Sequence, residues 1–223
     1  MKKRKDIITV AIDSPAAAGA GTQAKLIAKH YNLLQLDTGR IYRLIGKLKL
    51  ENPKKFSYSL IRKKINNLKI KNLQNKNLLS DKVATSASII AKDKKIRNIV
   101  HQFQQKCAYA PPMKYAGSVL DGRDITSVIC RDAMFKFFIT ASLKERAKRR
   151  YKELKKISPN TSLKKVKNAL KRRDFFDKNR KESPLLFVKG SVLVVTTNLS
   201  IKKMRLKLLK IVGNAIKRKY GNL

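Results

Sequence analysis

Five short apolar runs separated by helical segments restrict this 223-residue chain to a small set of folds. The runs are Ile7–Ile12, Leu33–Leu36, Ser118–Leu120, Phe135–Thr140 and Val192–Val195. Each is continuous rather than alternating, and mostly β-branched or aromatic, as in strands buried on both faces. A helix is expected over Thr22–Tyr31, directly after the first run. Ser142-Leu143-Lys144-Glu145 has capping-box spacing and opens another, to about Leu154. Thr161–Arg173 is amphipathic through Leu163, Val166 and Leu170. Ser200–Tyr220 places Ile201, Met204, Leu208, Ile211, Ala215 and Ile216 on one stripe that should be buried. Strands alternating with helices predict an α/β protein with a doubly wound, mostly parallel sheet.

Two segments interrupt the alternation. Residues 44–115 are long, polar and mostly helical in pattern, with no obvious core strand, and read as an insertion over the sheet edge. Residues 151–183 are the most basic stretch, centred on Ser158-Pro159-Asn160, and read as a mobile lid flanked by helices.

The length suits one domain, or one core domain with small insertions. No run of about 18 apolar residues exists, which argues against a membrane span. The basic start, Met1-Lys2-Lys3-Arg4-Lys5-Asp6, leads into a strand-like run that breaks at Asp13, Ser14 and Pro15, so no signal peptide is expected. Cys107 and Cys130 lack metal-ligand spacing and fit the reducing cytosol. His30 and His101 stand alone and are expected to be ordinary surface or core histidines. Lys and Arg number 54 against 14 Asp and Glu, a formal charge of +40. Such a field attracts polyanions. The lysines are nevertheless spread along helices, and a lysine-rich compositional bias with a small phosphorylated ligand is the simpler reading.

The first strand and first helix are joined by Ser14-Pro15-Ala16-Ala17-Ala18-Gly19-Ala20-Gly21-Thr22. That is the context a phosphate-binding loop requires. Backbone N–H groups and the positive end of the helix dipole converge there on phosphate oxygens. In the pattern G-x-x-x-x-G-K-[ST], the first Gly is here Ser14 and the lysine is Ala20, while Gly19, Gly21 and Thr22 remain. Alone, this degraded motif also fits a plain small-residue turn.

The rest of the chain changes its weight. Leu36-Asp37-Thr38-Gly39-Arg40-Ile41-Tyr42-Arg43 follows the second run, and Asp121-Gly122-Arg123-Asp124 ends the third. Ala147-Lys148-Arg149-Arg150 and Arg173-Asp174-Phe175-Phe176-Asp177-Lys178-Asn179-Arg180 come later. Arg43, Arg123 and Arg180 all fall near the expected carboxyl ends of strands, where open α/β sheets bind ligands and arginines can fork onto phosphate. Arg173, Asp177 and Arg180 share one face if their segment is helical. In order and spacing these motifs resemble the bacterial cytidylate kinases over nearly the whole chain, from about Ile7 to about Ile201.

The resemblance implies a P-loop nucleoside monophosphate kinase fold: a five-stranded parallel sheet flanked by helices, an acceptor-binding insertion and a basic lid. It implies a core of residues 1–43, 116–150 and 184–223, an acceptor-binding insertion over 44–115 and a lid with flanking helices over 151–183. It also implies a cytoplasmic transferase of pyrimidine metabolism, moving a phosphoryl group from ATP to CMP or dCMP with Mg²⁺. A monomer is expected, with no membrane and no nucleic-acid partner. By this likeness Ser14–Thr22 binds ATP, and Thr22 is the candidate Mg²⁺ contact. Thr38 lies near the acceptor. Tyr42 and Arg43 match a Tyr-Arg pair whose arginine holds the acceptor phosphate. Ser88 and Arg97 match residues that read the cytosine edge, and Asp124 the carboxylate that accepts from the cytosine amino group. Such a carboxylate would be left unpaired by uracil. Arg123 and Arg180 match phosphate contacts, and Arg173 with Asp177 ribose contacts. Arg146, Arg149 and Arg150 resemble lid arginines that close over the donor; Arg123, Arg149, Arg150 and Arg180 are the catalytic candidates.

The chain also departs from the family pattern. Ala20 replaces the lysine that neutralises donor-phosphate charge, and losing one preorganised donor of this kind typically costs roughly 10²–10³ in rate. Ser14 replaces a glycine. Thr126 and Arg131 stand where Gly and Pro are usual, and Val195 where a strand-end Asp is common. The segment from Lys54 to Val83 is short for a β-containing insertion. Activity would then need compensation by Mg²⁺, the loop amides, Arg149, Arg150 or Lys25. The alternatives are a CMP-binding pseudoenzyme with little turnover, or a basic nucleic-acid-binding protein on a kinase fold.

Overall fold

A computed structural model describes residues 6–156 and 159–220. The basic residues at 1–5 and Ser158 of the lid centre lie outside them. The expected strands form as β1 (Ile8–Asp13), β2 (Leu33–Asp37), β3 (Gly117–Gly122), β4 (Phe135–Thr140) and β5 (Val192–Val195). They make one sheet in the order β2-β3-β1-β4-β5, every pairing parallel. The register sets Asp13 opposite Gly122 and Asp37 opposite Asp121, so the polar ends of three strands share one edge.

The eight α-helices of the described residues are α1 (Ala20–His30), α2 (Thr38–Glu51), α3 (Tyr58–Asn66), α4 (Asp81–Ile90), α5 (Lys94–Tyr109), α6 (Leu143–Lys155), α7 (Leu163–Asn179) and α8 (Ile201–Tyr220). Helices cover both faces, which explains the unbroken apolar runs. On one face Ala11, Leu34, Leu36 and Leu120 pack with Ile41 and Ile45 of α2 and Val100 of α5. On the other, Val10, Ile12, Phe137 and Ile139 pack with Ala24 and Ile27 of α1 and Met204 and Leu208 of α8. Residues 44–115 hold helices and short 3₁₀ turns and no strand among the described residues. There Gly46 lets α2 approach α4 so closely that a Cβ would lie 2.8 Å from the Ala87 nitrogen.

Several local expectations are corrected. On β5 only Val194 is buried, because the strand is the sheet edge and Val192, Leu193 and Val195 are exposed. Ile201 is also exposed; the buried stripe of α8 is Met204, Leu208, Val212 and Ile216, a strict four-residue spacing, with Ile211 only partly covered. The side chain of Ala215 lies outside what is described. Helix α7 runs past Arg173 to Asn179, so the arginine–aspartate motif occupies its last turns. Ser142 does cap α6, accepting from the Glu145 N–H. Among the described residues, no helix is long and apolar enough to cross a membrane. Cys107 and Cys130 are buried and form no disulfide.

Candidate active site

The loop after β1 is tied down at its start, where the Ser14 N–H donates to the Gly122 carbonyl at 3.1 Å. Gly19 then caps α1 with φ 94°, a left-handed conformation that favours glycine. Ala17 also has positive φ, 61°, which costs an alanine about 1–2 kcal/mol. At Asp13 the last residue of β1 turns inward. Its carboxylate accepts from the Ile125 and Thr126 N–H groups at 2.7 and 2.9 Å and from the Thr126 hydroxyl at 2.5 Å. Thr126 thus has a partner of its own where the family pattern has glycine. Burial pushes the Asp13 carboxyl up to about 6 despite these bonds.

A cavity of about 240 Å³ opens at the carboxyl edge of the sheet, between this loop, α2, α4, α5 and α7. Residues Ser14–Ala20 line it, whereas Gly21 and the exposed Thr22 do not. All ten acceptor-side residues named from the sequence line it: Thr38, Tyr42, Arg43, Ser88, Arg97, Arg123, Asp124, Arg173, Asp177 and Arg180. His30 and His101 stand apart from it.

Two buried charge clusters shape its walls. In the first, Arg97 donates through Nη2 to Asp124 Oδ2 and through Nη1 to the Ala91 carbonyl at 3.1 Å. The guanidinium also sits 5.6 Å from the Tyr42 ring centre, and burial pushes the Tyr42 phenol up to about 12. In the second, Asp177 faces three arginines. Arg123 Nε donates to it at 2.7 Å, Arg173 Nε stands 3.7 Å away and Arg180 Nη1 4.0 Å away. Burial alone would raise the Asp177 carboxyl; Arg123 and Arg173 outweigh that and hold it below the usual range. Burial and the Arg123 charge pull Arg173 down to about 10. Arg173 Nε and Arg180 Nη2 are buried without a hydrogen-bond partner. Buried donors of this kind are costly unless an acceptor arrives. An excess of cations with unused donors is a site built for an anion.

Other expected residues are already engaged. Thr38 Oγ1 donates to the Asp121 carbonyl at 2.9 Å, Arg43 Nη1 to the Leu78 carbonyl at 2.8 Å and Ser88 Oγ to the Ala84 carbonyl at 3.0 Å. Arg150 lines the cavity and pairs with Glu153 at 3.1 Å. Arg146 and Arg149 do not line it. Arg146 forks onto Asp174 at 3.0 and 2.6 Å and donates to the Ala16 carbonyl at 3.1 Å. Arg149 donates to Thr196 Oγ1 at 3.0 Å and to the Thr196 carbonyl at 2.7 Å.

Sequence reasoning missed three residues here. Asp121 is buried beside Asp37, and burial first, then the Asp37 charge, raises its carboxyl well above normal. Its Oδ2 would lie 3.4 Å from a Cβ on Gly21. Both aspartates sit inside the quoted motifs at strand ends, so register could have exposed the pair. No local signal marks Thr196, the third.

A parallel sheet in this order, a strand–loop–helix phosphate cradle at its carboxyl edge and an arginine-rich cavity beside it define a nucleoside monophosphate kinase. The cytidylate kinase family model matches residues 10–214, and the chain belongs to that family. A cytidylate kinase of Azorhizobium caulinodans is 38% identical over 206 residues, spanning 92% of this chain and 98% of that protein. One of Bartonella bacilliformis is 39% identical over 199 residues, spanning 87% and 89%. One from a Clostridium botulinum strain is 34% identical over 216 residues, spanning 92% and 97%. Among solved structures, an uncharacterized protein from Eubacterium ventriosum superposes with a TM-score of 0.55 at 16% identity, over 92% of this chain and 98% of that one. At that identity it attests the fold alone.

Proposed function

We propose that this protein transfers the γ-phosphoryl group of ATP to CMP or dCMP, giving ADP and CDP or dCDP. The observation that carries the reading is the set of three arginines around Asp177, two of them with unpartnered buried donors, facing the loop across one cavity. CMP would lie with its phosphate among Arg43, Arg123 and Arg180 and its ribose toward Arg173 and Asp177. Its base would meet Ser88, Arg97 and Asp124. A carboxylate pinned by Arg97 accepts from the cytosine amino group, and uracil has no such donor to offer. ATP would set its phosphates on the Ser14–Thr22 loop, with Arg150 as the cavity-lining cation on the donor side. Catalysis of this kind is chiefly alignment and charge stabilisation.

The site fits Mg²⁺. Asp37 and Asp121 crowd two carboxylates beside the loop, a repulsion a divalent ion would relieve, and Mg²⁺ usually takes one or two carboxylates plus phosphate oxygens. Asp121 and Asp37 would hold it; Thr22, expected from the sequence as a contact, is exposed outside the cavity. When bound, the ion would neutralise charge on the transferring phosphoryl group.

The reading divides the chain into a core (1–43, 116–150 and 184–223), an acceptor-binding insertion (44–115) and a lid (151–183). An apolar cluster of Ala147, Leu154, Val166 and Leu170 packs α6 on α7 and supports a lid hinged on α6, with Ala16 of the loop joining the same cluster, while packing of Ile99 and Val100 in the sheet core links α5 to the core. The formal charge of +40 opposes self-association and supports a monomer. Two buried cysteines that form no disulfide support a reducing compartment such as the cytosol. The test is coupled ADP release with CMP, dCMP, UMP and AMP as acceptors. CMP or dCMP should be preferred, and no nucleotide-dependent release with either would refute the reading.

A further inference from the structure

The missing lysine at position 20 leaves open how the loop is shaped and charged. Three side chains answer from behind it. Arg146 Nη1 donates to the Ala16 carbonyl at 3.1 Å. Thr196 Oγ1 donates to the Ala18 carbonyl at 3.1 Å, and Arg149 Nη1 reaches the same carbonyl at 3.5 Å. Arg149 also grips Thr196, through the hydroxyl at 3.0 Å and the carbonyl at 2.7 Å. Thr196 is fully buried and its N–H donates to the Thr140 carbonyl at 2.7 Å, so the clamp is anchored to the sheet. Arg149 is itself steadied by Glu145 at 3.2 Å.

Peptide geometry converts these contacts into a function. In a trans peptide the carbonyl of one residue and the N–H of the next point in opposite directions. The chain has no cis peptide among its described residues. Arg146, Arg149 and Thr196 do not line the cavity, whereas Ala16–Ala20 do. Drawing the Ala16 and Ala18 carbonyls back therefore turns the Ala17 and Gly19 N–H groups forward, into the cavity. The strain of Ala17, at φ 61°, is held in place by the same contacts. A guanidinium charge also comes within 3.9 Å of the point where a Cβ on Gly19 would stand.

We propose that Arg149, acting through Thr196, is the positioning residue that replaces the loop lysine in this chain. It holds the loop amides toward the donor phosphates and adds a positive charge behind them. Lys25 is exposed on α1, outside the cavity, and Arg150 lines the cavity and pairs with Glu153, whereas Arg149 reaches the Ala18 carbonyl and Thr196. The proposal rests on the ATP-dependent phosphotransferase reading and specifies its donor side.

The test is a cycle of Arg149→Met, Ala20→Lys and the double variant in the full chain, with Thr196→Val beside it. Steady-state kinetics with Mg-ATP and CMP is paired with direct binding, as displacement of a fluorescent ATP analogue by ATP. Arg149→Met should raise KM and Kd for ATP roughly 10-fold or more and lower kcat, with KM for CMP changed less than about twofold. Thr196→Val should move ATP affinity in the same direction, by about three- to tenfold. With Lys at position 20, most of the Arg149→Met loss should vanish, the non-additivity expected of residues sharing one task. Equal losses in both backgrounds, or ATP binding unchanged in both Arg149→Met and Thr196→Val, would overturn the proposal. If Arg149→Met does not fold, the Thr196→Val result decides. Should the unsubstituted protein bind ATP but make no CDP, the phosphotransferase reading fails, while the binding arm still decides the role of Arg149.

Discussion

Arg123 Nε donates to Asp177 Oδ2 at 2.7 Å, joining a loop after β3 to the last turn of α7 across 54 positions of sequence. Arg173 and Arg180 crowd the same carboxylate. One anion against three cations leaves an excess of two positive charges, which a phosphate dianion would balance. Removing the carboxylate should cost most when the site is empty. Asp177→Asn should lower unfolding stability by about 2–4 kcal/mol, since it leaves largely buried guanidiniums without their counter-charge. Adding millimolar inorganic phosphate or CMP should recover part of that loss, because an anion binding the folded state stabilises it by mass action. Thermal melts with and without phosphate check this; a loss independent of anion would show that the arginines do not form an anion site.

The Arg97–Asp124 pair makes a separate prediction about base choice. Asp124→Asn puts an amide N–H₂ where a cytosine amino group would donate, and it strips Arg97 of its charge partner. Expected is a fall of roughly 10²–10³ in kcat/KM for CMP, with a smaller fall for UMP, so the preference narrows. Parallel assays with the two acceptors measure it. Equal losses on both would place the pair away from the base.

Asp13 titrates in a range that can be read directly. Its folded value, about 6, lies above the ordinary 3.8, so between those values the folded protein holds a proton the unfolded chain has released. The contribution to stability from this group therefore falls as pH rises from about 4 through 6, by up to about 3 kcal/mol. Asp13→Asn cannot titrate, and its amide faces the donors of Thr126. The variant should be less stable than the parent, with the deficit largest near pH 4.5 and smaller at pH 7.5. Urea unfolding at the two pH values checks the sign; a deficit that grows with pH contradicts it.

Gly46 tests the packing of the acceptor-side helices. A Cβ there would meet the backbone of Ala87 on α4, and backbone cannot swing aside as a flexible side chain can. Gly46→Ala should destabilise by about 1–3 kcal/mol, even though alanine is the better helix former. It should also weaken CMP binding, because Ser88 rides on α4. A variant as stable as the parent would mean that α4 shifts freely.

Much of this was legible in one dimension. The five strands, the order of the helices and the Ser142 cap depend on local periodicity and spacing; the strands and the cap form within a residue or two of where the sequence puts them, while α7 runs six residues past its expected end. The residues proposed for the acceptor could be named because most travel in compact motifs, and the fold brings them to line one cavity at the carboxyl edge of the sheet. The exposed flank of β5 was not legible, since a run of valines reads alike at the centre and at the edge of a sheet. Asp37 and Asp121 lay in plain view inside those motifs, but their mutual repulsion exists only in the register of β2 with β3.

The loop from Ser14 to Thr22 divides the two kinds of information most clearly. Sequence alone established that a small-residue loop in the setting of a phosphate loop follows the first strand, that alanine stands at its lysine position, and that arginines wait in the helix after the fourth strand. Tertiary structure decided which arginine faces which way. Arg150 lines the cavity, while Arg146 and Arg149 turn to the loop's carbonyls, one steadied by Asp174 and the other by Thr196. A side chain's partner is chosen by groups 28 and 47 positions distant that only the fold brings within 3 Å. Spacing along a helix says which residues share a face; what that face meets is settled by packing.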